Sequence, residues 1–391
     1  MVAKGSADFR ESMFKSAEMI DLTMLMNSGR WAFDMEPRYT IGLASVVRNV
    51  SASGSEMLLT GPYSSLKSFR EGLKQPPISF EVREVMEWND TYSLPLLPTE
   101  DSVEVFAQLR KSPRLDLKDG ESWRARPQRE LDATNDKHVM DVDSKDCPEG
   151  FWPVFKGESF DLWTPDRGKG SYYAWADPEI VIPHLQKKRM RANKRSAFSE
   201  FSSKWREDQD TLPCLHPRIA FRDITNRTNQ RTIIACLIPP NSFLTNKAPY
   251  LVWPRGDEKD MAYLLGVMSS IPYDYYSRRY IDTSVNFFIL NPFPVPRPQR
   301  DHPLWQRVVS IAGRLAAQDE RFSEWAGSVG VSYGSLDEDT KNELTAELNA
   351  LVALLYGLTE DHVTHIFTTF HEGWDYSEDL RAALKYYYDW S

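Results

Sequence analysis

Cysteine is scarce in this sequence. Cys147, Cys214 and Cys236 are an odd number, far apart, with no C-x-x-C pair. That excludes a disulfide framework and a cysteine zinc site, and it points to a reducing compartment, the cytoplasm. Long apolar runs are also missing, and the N-terminus carries Asp8, Glu11 and Glu18 where a signal sequence would be apolar. Neither a membrane span nor a leader is therefore expected. The chain has no basic excess either: its formal net charge is -9 over 391 residues. A generally basic nucleic-acid coat is excluded, so DNA binding would have to come from a local basic face on an acidic body. A Ser-His-Asp triad assembled in space is not excluded by residue order.

What the sequence has in quantity is aromatic surface. Aromatic residues make up 12% of it, including 12 Trp and 17 Tyr, which excludes a disordered chain and leaves flat faces for stacking. The length is enough for a sizeable core in about two or three domains.

One stretch concentrates polar chemistry. Arg218 to Arg231, R-I-A-F-R-D-I-T-N-R-T-N-Q-R, holds four arginines, two asparagines, a glutamine and two threonines, without glycine or proline. Arg makes a two-pronged contact to guanine, Asn and Gln a matching one to adenine, and Thr meets the thymine methyl or a phosphate. A salt-bridged strand pair at a sheet edge accounts for the same composition. A second dense stretch is K-K-R-M-R-A-N-K-R at 187 to 195, with six basic positions of nine and no acid. On a helix, Lys187, Arg191, Lys194 and Arg195 would share one broad face. An ordinary solvated helix face explains that as well.

Taken in order, the chain predicts an α+β protein. A helical run through Met26 and the turn at 27–29 lead to a strand over Tyr39 to Val47, apolar enough to be buried on both faces. Strands at Met57 to Leu59 and Ile78 to Val85 flank a short helix at 66–73. Thr99 caps a helix whose first turn holds Glu100 and Asp101. Residues 113–150, charged and poor in large apolar groups, suggest an exposed connection. Further strands are expected at 151–160, 232–238, 250–253 and 285–290, with a helix from Glu258 that Pro272 kinks or stops. The last ninety residues predict a helical bundle, with helix starts at Pro303, near Ser335 and Glu338, at Thr359 and at Ser377.

Several segments recur in an order that resembles the C-terminal, target-recognition half of bacterial N6-adenine DNA methyltransferases, including the Type IIG restriction-modification enzymes. They are N-S-G-R-W-A-F-D-M-E-P-R-Y (27–39), S-L-P-L-L-P (93–98), V-F-K-G-E-S-F (154–160) and R-I-A-F-R-D-I-T-N-R-T-N-Q-R-T-I-I-A (218–235). The order continues with L-L-G-V-M-S-S (264–270), R-R-Y through N-F-F-I-L-N-P-F-P-V-P (278–296) and E-L-N-A-L-V-A-L-L-Y-G-L-T (347–359). The resemblance implies the last strands of a Rossmann-like methyltransferase sheet over 1–50, a DNA target-recognition domain over 51–300, and a helical bundle over 301–391. It implies double-stranded DNA as partner in a restriction-modification or phage-defence system.

The same family binds S-adenosylmethionine through a glycine-rich turn and holds the flipped adenine with N-P-P-Y or D-P-P-Y. Here the double prolines, Pro76-Pro77 and Pro239-Pro240, follow neither Asn nor Asp, and no strand-linked glycine fingerprint occurs. The expectation is that this chain does not methylate alone, binds no cofactor itself, and works with a separate methyltransferase catalytic chain; S-adenosylmethionine belongs to the complete enzyme. A protein-interaction module or decayed fragment packing on such a chain is the alternative.

The residues assigned to DNA on this basis are Arg218, Arg222, Asn226, Arg227, Thr228, Asn229 and Arg231, with Thr225 beside them and Asp223 orienting an arginine. Lys156, Lys187, Lys188, Arg189, Arg191, Lys194 and Arg195 would grip the backbone, and Arg278 and Arg279 would add to them. No catalytic residue is assigned. His362, His365, His371 and Glu372 have a spacing a metal could use but no compact third ligand. Acidic pairs such as Asp141/Asp143 and Glu378/Asp379 read as solvated turns rather than as a magnesium nuclease site.

Overall fold

In the computed structural model, residues 4–37, 39–48, 55–194, 196–371 and 373–391 are described. The fold is mixed α+β, with small sheets followed by helices.

The chain opens with α1 (Ala7–Ser16) and β1 (Ala17–Met26), followed by β2 (Thr40–Arg48), β3 (Glu56–Tyr63), α2 (Leu66–Gly72), β4 (Ile78–Glu81) and α3 (Val82–Met86). Four strands pair in the order β2-β1-β3-β4, with β1 parallel to β3 and antiparallel to β2. Strands on both sides of residue 50 thus share one sheet.

Two expectations change here. The helical run does not reach Met26: from Ala17 the chain is a strand that buries Ile20, Leu22 and Met24. Met and Leu favour helix by propensity, but pairing on both sides decides the outcome. β2 is also not the buried strand its composition predicts. It lies at the sheet edge, with Leu43, Val46 and Val47 exposed.

After α4 (Glu100–Arg110), which Thr99 caps as expected, come β5 (Arg124–Gln128), β6 (Trp152–Phe155), β7 (Ala174–Ala176), α5 (Pro178–Met190), α6 (Ser203–Glu207), β8 (Arg218–Phe221), β9 (Ala235–Ile238), β10 (Phe243–Leu244) and β11 (Tyr250–Arg255). Two sheets form, β10-β6-β7 and β5-β11-β8-β9. The second is covered on both faces. Ile219, Phe221, Leu237 and Leu251 point into the main core, while Ala220, Cys236, Ile238, Tyr250 and Val252 join Phe155, Phe160 and Phe198 on the other side, as a two-residue strand period requires.

The 113–150 segment is accordingly more than a connection. It supplies β5, an edge strand of this sheet, and buries Arg124, Glu130, Leu131 and Asp136. Its charges are paired internally: Arg124 and Arg126 meet Glu200, Glu130 meets Arg218, and Asp136 meets His184 and Lys188. Its longest exposed runs are the turns at 118–121 and 143–147.

The helical part comprises α7 (Glu258–Ser269), α8 (Ile271–Arg278), α9 (Phe287–Leu290), α10 (Pro303–Ala316), α11 (Ser323–Val329), α12 (Glu338–Leu355), α13 (Glu360–Thr369) and α14 (Ser377–Trp390). Pro272 sits in the first turn of α8, where its missing N–H costs nothing. The strand expected at 285–290 is instead the short helix α9. Asp337, rather than Ser335, caps α12, and Thr359 caps α13. Gly266 lets α7 lie close to α10 and α12: a Cβ there would stand 2.9 Å from Val308 Cγ1 and 3.0 Å from Ala312 Cβ.

At the start of α8 one carboxylate collects several donors. Asp274, fully buried, accepts from Arg231 Nε at 2.8 Å, from the backbone N–H of Thr232 and Ile233, and from Ser277 Oγ. Replacing Asp274 by Ala strands a guanidinium and two amides together, so Asp274→Ala is expected to lose about 3–5 kcal/mol of stability, measured as a shifted urea midpoint with an unchanged slope. A loss under about 1 kcal/mol would show that the cluster is peripheral to stability.

Candidate nucleic-acid interface

The arginine-rich block does not form one extended reading edge. β8 ends at Phe221, and residues 222–234 run as turns against the sheet and the helices. Most of the side chains assigned to DNA are committed to protein.

Arg218 is buried, with its Nη2 donating to Glu130 Oε2 at 3.1 Å and to the Ser242 carbonyl at 2.9 Å. Burial pushes the Glu130 carboxyl above its ordinary value, opposed by Arg218. Arg222 donates to the Phe160 carbonyl and to Asp161. Arg227 reaches Asp282 at 3.1 Å and Thr40 of β2 at 3.0 Å, and its burial lowers its pKa. Arg231 is held by Asp274.

The polar side chains between them shape the loop itself. Thr225 Oγ1 donates to the Thr232 carbonyl, and Asn226 Oδ1 accepts from the backbone N–H of Thr228 and Asn229. Asn229 donates to Thr225 Oγ1.

Arg278 and Arg279 require the same correction. Arg278 is buried over the Phe370 ring and donates to the carbonyls of Arg227, Asn229 and Gln230 at 2.6–2.8 Å. Arg279 lies 3.9 Å from the Tyr275 ring centroid and reaches the Leu96 carbonyl. Burial lowers the pKa of both. His371 Nε2 and Tyr376 Oη add hydrogen bonds to the carbonyls of Thr228 and Gln230. The loop is therefore clasped by α8 and the C-terminal helices, with the side chains of Ile224, Thr228 and Gln230 exposed on its outside.

A solvent-facing cationic strip lies elsewhere. Asp223 meets Arg129, just after β5, at 3.4 Å and Lys247 at 3.4 Å. Arg129 also packs over the Phe287 ring. Gly157 keeps this corner tight, since a Cβ would stand 3.1 Å from the Lys247 carbonyl oxygen. The adjoining Lys156 is paired with the exposed Glu158. On the other side of Arg129, Lys188 donates to the Glu130 carbonyl and to Asp136, each at 2.7 Å. Lys187, Arg191 and Lys194 follow, exposed and without an ion-pair partner among the described residues. Arg195 lies outside the described residues.

Arg189 differs from its neighbours on α5. It turns inward and is buried, donating to Thr211 Oγ1 and the Asp208 carbonyl and lying over the Trp205 ring. Arg129 and Lys247 are the residues that sequence reasoning missed, since each is an isolated cation that only the fold brings beside Asp223.

The strip borders a cavity of about 220 Å³. Arg129, Lys188 and Arg191 contribute to its lining, with Gln128, Arg189, Phe198 and Tyr250 among the other walls.

A serine, a histidine and an aspartate do meet in space: Ser102 Oγ lies 3.0 Å from His365 Nε2, and His365 Nδ1 lies 3.8 Å from Asp101. Ser102 is fully buried at the start of α4 and also bonds Thr99, which suits a helix-to-helix tie rather than a nucleophile. Among the described residues no three His, Cys, Asp or Glu side chains gather to hold a metal, and Glu372 is not among them. No described helix is long and apolar enough to cross a membrane.

Two measurements test these placements. Arg218→Ala leaves Glu130 buried without its partner and should lose about 3–5 kcal/mol of stability, whereas the exposed Arg191→Ala should stay within about 0.5 kcal/mol of the parent. Equal unfolding midpoints would refute the burial. For His365, burial is the first cause of a lowered pKa, with Asp101 opposing it and Arg279 and His362 adding to it. The folded state therefore prefers the neutral ring. Stability should be full above about pH 6.5 and fall as the pH drops below that value towards the folded pKa. The slope of the urea midpoint between about pH 5.5 and 7 should be shallower in His365→Gln; an unaltered slope would assign it to other groups.

No protein-family model and no curated protein matches the chain. Among solved structures it is similar to the Type IIL restriction-modification enzyme MmeI in complex with DNA, with a TM-score of 0.40 and 9% identity, over 91% of this chain. The match spans 45% of the length of that enzyme.

Proposed function

We propose that this chain is the sequence-recognition part of a cytoplasmic N6-adenine DNA methyltransferase in a restriction-modification or phage-defence system. Its first strands would continue a methyltransferase sheet, the region to about residue 300 would contact duplex DNA, and the C-terminal helices would brace the recognition loop. The sequence supports this reading through the ordered segments from 27–39 to 347–359. S-adenosylmethionine and the N-P-P-Y or D-P-P-Y loop would belong to the catalytic part of the complete enzyme.

The observation that carries DNA contact is the cationic strip on an acidic protein. Lys247, Arg129, Lys188 and Arg191, with Lys187 and Lys194 beside them, place unlike chain segments on one surface. In this reading they grip phosphates and set register, while side chains on the clasped loop that begins beside Asp223 face base edges. Thr228 and Gln230 are the loop's exposed polar side chains nearest that role.

A second reading, docking onto a methyltransferase chain without DNA contact of its own, draws on the exposed edge β2 and its apolar Leu43, Val46 and Val47. Unpaired strand edges of this kind accept a further strand.

The experiment is retention of random-sequence duplexes at two salt concentrations, followed by sequencing. Enrichment of one short motif with steep salt weakening is expected. Arg191→Ala and Lys194→Ala should weaken all duplexes alike and each lower the salt slope by about 1. Gln230→Ala should relax one position of the motif at about 1–3 kcal/mol. Weak, unenriched binding that these substitutions leave unchanged would reject the DNA reading in favour of the docking module.

A further inference from the structure

The cavity beside the strip has walls that a phosphate grip alone does not require. Its mouth carries the exposed cations Arg129, Lys188 and Arg191, and its lining combines Phe198, Tyr250 and other apolar groups with polar ones, the carboxylate of Glu130 among them. Its volume of about 220 Å³ exceeds that of a bare phosphate and suits a single ring system with an anion at the entrance. Hydrogen-bonding groups are present in the walls as well. Gln128 brings an amide that both donates and accepts.

We propose that this cavity receives one unstacked nucleotide, with the base between the Phe198 and Tyr250 walls and its 5′-phosphate on the Arg129, Lys188 and Arg191 mouth. The nucleotide identity rests on the DNA reading above; the cavity chemistry, an anion carried on a flat ring, does not. An extrahelical nucleotide is already free of part of its stacking cost, so a cavity of this kind prefers DNA that is bulged or mispaired to perfect duplex. Sequence tolerance is expected, because every base has a stacking face.

The full-length chain is titrated with a fully paired duplex, with the same duplex carrying one bulged nucleotide, with each of the four deoxynucleoside 5′-monophosphates, and with inorganic phosphate. Tighter binding of the bulged duplex by about tenfold is expected, the size of one stacking contact, with competition by monophosphates and much weaker competition by phosphate. Ala192→Phe fills the cavity from its wall without removing a cation. It should abolish the preference for the bulge and the monophosphate binding while leaving paired-duplex affinity in place. Gln128→Ala is the second variant, should Ala192→Phe unfold on a thermal scan, and it should reduce the same preference.

Equal affinity for paired and bulged duplexes, with no monophosphate binding, overturns the proposal while leaving duplex recognition standing. Inorganic phosphate competing as well as the monophosphates also overturns it, reducing the cavity to a simple anion site. Monophosphate binding that Ala192→Phe removes, in a chain that retains no duplex, upholds the cavity and rejects the DNA reading instead.

Discussion

The carboxylate of Asp274 is the point on which the arrangement of this protein turns. A buried charge is tolerable only when its partner is close and its remaining lone pairs are satisfied. Asp274 meets both conditions with donors from two chain segments, Arg231 to Ile233 and the first turns of α8. That fixes where the segment leading into β9 meets α8. Once it is fixed, Arg278 on the same helix reaches the carbonyls of the loop, Arg227 in that loop reaches Asp282 and Thr40, and His371 and Tyr376 close over it from the C-terminal helices. The first sheet, the middle sheets and the helical part therefore meet around one turn of chain.

This explains why the arginines of the 218–231 stretch are turned toward protein rather than solvent. A guanidinium recognises a base edge and a cluster of backbone carbonyls by the same means, a planar fork of donors with no acceptor. Four arginines in fourteen residues carry that chemistry without saying which acceptors they meet. The acceptors sit far along the chain: Glu130 is 88 residues from Arg218, and Asp274 is 43 from Arg231. The alternative of a salt-bridged edge came closer to the outcome, though the charge is gathered by turns and helices rather than by a strand pair.

Elements whose signals are local were readable in the sequence. Thr99 and Thr359 cap their helices, Gly357 follows the end of α12, and the apolar run at 250–253 is a strand. Elements decided by partners were not. β1 has the Met and Leu content of a helix and becomes a strand because β2 and β3 flank it. Residues 113–150 look solvated because their charges are counted before their partners are known. The candidate site divides in the same way: cation density at 187–194 is visible in the chain, whereas Arg129 joins it only in the fold, where Lys188 donates to the carbonyl of the adjacent Glu130, 58 residues distant.

The clasped loop and the strip meet at Asp223, and their physical characters differ in a way that suits a division of labour. The long cationic side chains of Lys187, Arg191 and Lys194 remain in solvent, so they keep rotamer freedom and act through charge over about 10 Å at 0.1 M salt. The loop has its carbonyls and most of its side chains already bonded, so little entropy remains to be lost when Thr228 or Gln230 meets a partner. In the proposed function, attraction of DNA by the strip would be tolerant of sequence and weakened by salt, while contact by the loop would be short-ranged and geometrically demanding. An acidic body would strengthen the contrast, because away from the strip it repels a polyanion.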